Sequence, residues 1–136
     1  GPMVSPFVRR YAWHVAELLD ITAMNEAAVA LLGQHDFAAF QAVGSDVETT
    51  IRTIFEVTIG TRQLPEVEST PPLISVDVIG DGFLRHMVRI MVGTLVSVGK
   101  GQRPASAMSD LISSGDRECA GITAPAHGLF LVSVVY

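Results

Sequence analysis

From Phe83 to Val98 the chain carries one apolar face at helical spacing, made by Phe83, Leu84, Met87, Val88, Met91, Val92, Leu95 and Val96. A stripe this wide must be covered by other elements, so the fold has to be built around it. Arg85, Arg89, Gly93 and Ser97 fall on one line at i, i+4 spacing. Arg89 is flanked by Val88 and Ile90 in mid-helix. A cation set among apolar residues needs a carboxylate or phosphate partner, or a stem that snorkels to solvent. Spacing alone does not choose between these. Arg85, His86 and Arg89 also interrupt the apolar run, which excludes a membrane span here.

The remaining elements follow from pattern. Phe7 to Val15 reads as a strand. Thr22, or else Asp20, caps a helix with apolar Ala23, Met24, Ala27, Ala28, Leu31 and Leu32, closed by Gly33. Ile51 to Ile59 alternates, with Ile51, Thr53, Phe55, Val57 and Ile59 on one face, and Leu73 to Ile79 alternates again. Together they predict an antiparallel pair. Gly80-Asp81-Gly82 is a turn before the long helix, which Gly99 and Gly101 end. Pro104 starts a second helix to about Ser113, and Leu129 to Tyr136 closes as a strand. The order predicts an α+β fold, an antiparallel sheet with helices packed on one face.

Composition narrows the function. At 136 residues the chain is one domain. It is 49% hydrophobic and only 17% charged, which points to apolar surface covered by another domain or subunit. A net charge of −5 argues against autonomous nucleic-acid binding, which needs basic residues to neutralise phosphates. The lone Cys119 allows no intrachain disulfide and fits a cytosolic protein. His14, His35, His86 and His127 are scattered, so no zinc pattern arises. Neither G-x-S-x-G nor a complete phosphate loop is present. Asp36 and Asp81 are carboxylates that could serve chemistry, or could simply anchor turns. Gly1-Pro2-Met3 is expected to be an expression scar, leaving residues 4–136 as the domain.

Four segments in order then resemble one family. Gly82 to Leu95 (GFLRHMVRIMVGTL) resembles the "H-M-V-R-x-x-V-G-T-L" helix of the tRNA pseudouridine synthase A (TruA-like) family. Leu32 to Phe40 (LGQHDFAAF), Ile51-Arg52-Thr53-Ile54 and Ala120 to Val132 (AGITAPAHGLFLV) resemble its other segments, and Ser5-Pro6-Phe7 with Tyr11-Ala12-Trp13-His14 also fits the segment that opens this half. The resemblance implies half of the pseudouridine synthase fold. It implies isomerisation of uridine to pseudouridine at positions 38 to 40 of the tRNA anticodon stem-loop, without cofactor or metal. It implies a cytoplasmic, homodimeric enzyme with tRNA as partner. The family's catalytic aspartate sits in an "R-T-D-x-G-V-H" motif, and the R-T pair here, Arg52-Thr53, is followed by Ile54. The chain therefore matches a C-terminal half, expected to be inactive without an N-terminal half. Arg89 matches the arginine that pairs with that aspartate. Phe83, Leu129 and Leu131 match positions near the uracil pocket, and Arg85 and His86 face the same region toward RNA. The alternative is a non-catalytic RNA-binding or dimerisation module with the same fold.

Overall fold

The computed structural model describes residues 7–14, 19–41, 49–62, 73–84, 86–115 and 129–134. The opening residues 1–6, Arg85, and the segment 116–128 with Cys119 and His127 lie outside the described residues. The elements run β1 (Phe7–His14), α1 (Ile21–Val29), β2 (Gly33–Asp36), a 3-10 turn (Ala38–Phe40), β3 (Ile51–Arg62), β4 (Leu73–Gly80), α2 (Met87–Gly99), α3 (Ala107–Ser114) and β5 (Leu129–Val134). The strands form one sheet in the order β2-β3-β4-β1-β5, antiparallel at every joint. The fold is α+β, as expected.

Central β4 shows why the sheet has two unlike faces. Its burial alternates without interruption, and Ile74, Val76 and Val78 are buried. Directly paired residues on neighbouring strands share a face. Val76 is paired with Tyr11 on β1 and Ile59 on β3, so the core side of the sheet is apolar across its middle. The opposite face carries polar pairs, including Arg10 with Asp77. Arg10 makes a two-point contact with that carboxylate, at 2.8 and 2.9 Å.

Helix α2 lies against the core side with α1 beside it. Every residue of α2 is buried except Arg89, which is half-buried. Its interior hydroxyls return to the helix's own carbonyls. Thr94 donates to Ile90 O at 2.9 Å and Ser97 to Gly93 O at 3.2 Å. The N-terminus of α1 is tied to the C-terminus of α2, because the Asp20 N–H donates to Gly99 O at 2.8 Å.

Four sequence expectations need correction. Asp20, not Thr22, caps α1, its Oδ1 accepting from the Ala23 N–H at 3.1 Å. Thr22 already lies inside the first turn. Gly33 (φ +93) opens β2 rather than closing α1, which ends at Val29 with Ala30 as its C-cap. The long helix begins at Met87, not Phe83. His86 adopts the left-handed conformation (φ 63), which an α-helix cannot contain. Finally, Phe55 does not share a face with Val57 and Ile59. The β3–β4 register shifts between Ile54 and Glu56, and this bulge inserts Phe55 as the extra residue. Ile54 is 1% exposed and Phe55 56%.

The bulge also forces β3 close against the end of β4. A Cβ on Gly80 would sit 2.9 Å from Thr53 O and 3.0 Å from Ile54 Cδ1. Gly80→Ala should therefore destabilise the fold by about 1–3 kcal/mol, through displaced backbone. Gly60→Ala, whose Cβ meets only Ser75 Oγ at 3.5 Å, should stay within about 0.5 kcal/mol of the parent. Urea denaturation of both variants checks the contrast.

Candidate functional site

The half-exposed position of α2 marks the site. Arg89 comes from the first turn of that helix, between Val88 and Ile90, both buried. Across from it lies Tyr11 of β1, fully buried in the core. Burial pushes the Tyr11 phenol up to about 12, because the phenolate is poorly solvated there, while the positive charge of Arg89 opposes that rise. The opposing effect places the guanidinium within electrostatic reach of the Tyr11 ring. Among the described residues no buried side-chain nitrogen or oxygen lacks a hydrogen-bond partner.

Two residues before Tyr11, on the same face of β1, comes Arg9. Its guanidinium carbon stands 5.9 Å from the centre of the Phe83 ring, a cation–π geometry. Because α2 starts only at Met87, Phe83 lies on the irregular approach to the helix, where it meets β1. Phe7, Arg9, Arg52, Asp81, Gly82 and Phe83 line one open cavity of about 410 Å³. In register with this stretch of β1, Leu131 is paired with Arg9 and Leu129 with Tyr11. The structure thus gathers Phe83, Arg89 and the backbone positions of Leu129 and Leu131 around Arg9 and Tyr11. His86 stands half-buried at the head of α2.

The carboxylates considered from the sequence are engaged in backbone structure. Asp36 Oδ1 accepts from the Ala38 N–H at 3.1 Å and from the Thr50 hydroxyl, pinning the β2–β3 hairpin. Asp81 Oδ1 accepts from the Thr53 N–H at 2.9 Å, and the Asp81 N–H donates back to Thr53 O at 3.0 Å. That reciprocal pair continues the β3–β4 ladder beyond Gly80. Among the described residues no group of three or more His, Cys, Asp or Glu could hold a metal ion. Nor is any described helix long and apolar enough to cross a membrane.

Sequence reasoning missed Tyr11, Arg9 and Arg52. Arg9 and Tyr11 belong to a run read as a strand, with Tyr11 also in the family's opening segment, and Arg52 to another family segment, but none stood out as a site residue. The available signal was alternation, which puts Arg9 and Tyr11 on the face that α2 must cover.

Comparison with known proteins identifies the class to which this α+β chain belongs. The family model described as tRNA pseudouridine synthase matches residues 27–136, and the chain belongs to that family. It is 47% identical to the tRNA pseudouridine synthase A of Syntrophotalea carbinolica over 136 residues, covering 100% of this chain and 51% of that protein. It is also 47% identical to the enzyme of that name from Pelobacter propionicus, of which it covers 52%. With the same-named protein of Thermoanaerobacter pseudethanolicus the identity is 43% over 131 residues, 96% of this chain and 50% of the other. The chain spans about half the length of the curated relatives it matches.

The Arg89–Tyr11 proximity is open to titration. The chain has two tyrosines, so a Tyr136→Phe background isolates Tyr11 in the phenolate absorbance near ultraviolet. The Tyr11 midpoint should lie near 12, and Arg89→Gln should move it further up by removing the opposing charge. The unfolded phenol titrates near 10.0 and the folded one near 12, so the folded state holds its proton longer. Stability is thus fully present below about pH 10 and falls as pH rises toward 12. Tyr11→Phe should flatten that fall in urea midpoints measured across the same range.

Proposed function

We propose that residues 4–136 are the C-terminal domain of a tRNA pseudouridine synthase that isomerises uridine in the anticodon stem-loop, at positions 38 to 40. In this reading Arg89 is the partner of a catalytic aspartate supplied by an N-terminal half, and the chain is inactive without it. The observation that carries the proposal is the placement of Arg89 as the one half-exposed residue of a helix otherwise buried throughout. An arginine seated on a packed helix carries the planar fork that binds a carboxylate at two points. Pairing keeps the aspartate ionised and oriented.

The chemistry then needs little more from this half. The bond between uracil N1 and ribose C1′ breaks, the base turns, and C5 forms the new bond to C1′. The C5 proton is released and N1 takes one up, so atoms and charge balance. Apolar walls at Phe83, Leu129 and Leu131 would keep water from the detached base. Arg85 and His86 contribute contacts to the RNA. No metal or cofactor enters this scheme. The complete enzyme works in the cytoplasm as a homodimer on tRNA.

Tritium release from tRNA labelled at uracil C5 tests the proposal. The chain alone should release none, and the chain mixed with its separately expressed N-terminal half should release tritium. In that mixture Arg89→Gln should lower the rate by about 10²-fold or more, and Arg89→Lys should not restore it, since lysine has no fork. Release by the chain alone would overturn the reading and require a nucleophile within these residues.

A further inference from the structure

The two adjacent arginines of β1 have different surroundings. Arg10, on the open face, is neutralised by Asp77 through two hydrogen bonds at 2.8 and 2.9 Å. Arg9, on the other face, reaches the cavity it shares with Arg52, Asp81, Gly82, Phe7 and Phe83. Among the described residues neither Arg9 nor Arg52 forms an ion pair. Asp81, the one carboxylate among the described residues that line the cavity, has an oxygen bound to the Thr53 N–H at 2.9 Å.

Both guanidiniums are held in place. Arg52 donates from one terminal nitrogen to Thr49 O at 2.9 Å and to Ile51 O at 2.8 Å. Its other nitrogens stay available, and Nε lies only 3.5 Å from where a Gly82 Cβ would be. Arg9 rests on the Phe83 ring at 5.9 Å. Among the described residues lining the cavity, two cations against one aspartate leave it positive, in a chain whose net charge is −5. The cavity where α1, α2 and α3 meet provides the contrast. It sets Lys100 and Arg103 against Asp20 and Glu26, so its formal charges cancel.

We infer that Arg9 and Arg52 form a clamp for a phosphodiester of single-stranded RNA, with the phosphate between the two guanidiniums and its nucleotide against Phe83 and Phe7. Guanidinium forks match phosphate oxygens, and an aromatic ring beside them suits an unstacked base. A loop nucleotide near the uridine to be modified offers both groups. The inference rests on the functional reading above and names where the RNA backbone is gripped.

Salt dependence separates this role from a structural one. The probe is an anticodon stem-loop RNA oligonucleotide, bound to the complete enzyme at several KCl concentrations. Each phosphate contact on a single strand adds about 0.7 to the slope of log Kd against log salt. Arg9→Gln and Arg52→Gln should each flatten the slope by about that much and weaken binding roughly 3–10-fold at moderate salt. Arg9→Lys should keep the slope, because it keeps the charge. Arg10→Gln, whose parent residue is already paired on the far face, should keep it too. Unchanged slopes in Arg9→Gln and Arg52→Gln would overturn the inference, even if thermal midpoints fall. A fall without a slope change would assign the arginines to a protein carboxylate instead. If the parent enzyme releases tritium while the slopes stay unchanged, only the clamp fails. If it neither binds the oligonucleotide nor releases tritium, the functional reading fails first.

Discussion

Helix α2 runs for 13 residues with a single half-exposed side chain, and the arrangement of the other elements follows from enclosing it. A helix apolar on nearly every side gains from burial only when its whole circumference is covered. The apolar face of the sheet supplies one side, through Tyr11, Ile74, Val76 and Val78, and α1 supplies another through Met24. Close approach is possible there because Gly99 has no side chain. A Cβ at that point would fall 2.6 Å from Met24 Sδ. Interior polarity is contained by the helix itself, since Thr94 and Ser97 fold back on carbonyls one turn earlier. Arg89 is the one residue of α2 left half-buried. Its partial exposure is a product of how the covering elements meet.

The sheet adds a second kind of order. At the β3–β4 end, the bulge at Phe55, the close contact at Gly80 and the reciprocal hydrogen bonds of Asp81 and Thr53 all fall within a few residues. Together they fix the segment from Gly80 to Leu84 before α2 begins. His86, in the left-handed conformation, then redirects the chain into the helix. The bend lets Phe83 lie against Arg9 instead of joining the helix stripe. Irregular backbone here is the device that brings one aromatic ring to the cavity.

Much of the fold was legible because alternation and helical spacing report burial directly. β4 alternates as written, and α2 is as apolar as its sequence demands. What the pattern concealed was irregularity. Phe83 and Leu84 satisfy helical spacing as well as Met87 and Val88 do, so periodicity continues through a break set by one φ angle. Phe55 satisfies alternation, yet the bulge turns it outward, and only pairing with β4 reveals the shift. β2 was missed because Gly33-Gln34-His35-Asp36 has no apolar face and exists as a strand through its pairing with β3. At the site, Arg89 stood out because a cation among apolar neighbours is conspicuous in any sequence. Arg9 and Arg52 gave no such signal, since their meeting depends on strands far apart along the chain.

The contrast between Arg9 and Arg10 has a consequence for how the protein tolerates change. Side chains on a strand alternate between faces, so a slip of one residue in β1 would exchange the two arginines. Each face would still carry one arginine, but Tyr11 would turn out of the core with Arg9, and Arg10 would lose Asp77. The pairing of Tyr11 with Val76 and of Arg10 with Asp77 prevents this, one through packing and the other through charge. Alignment of β1 thus works like the notch on a key. Shifted by one tooth, the same residues would still make a sheet, but with Tyr11 on the wrong side of it.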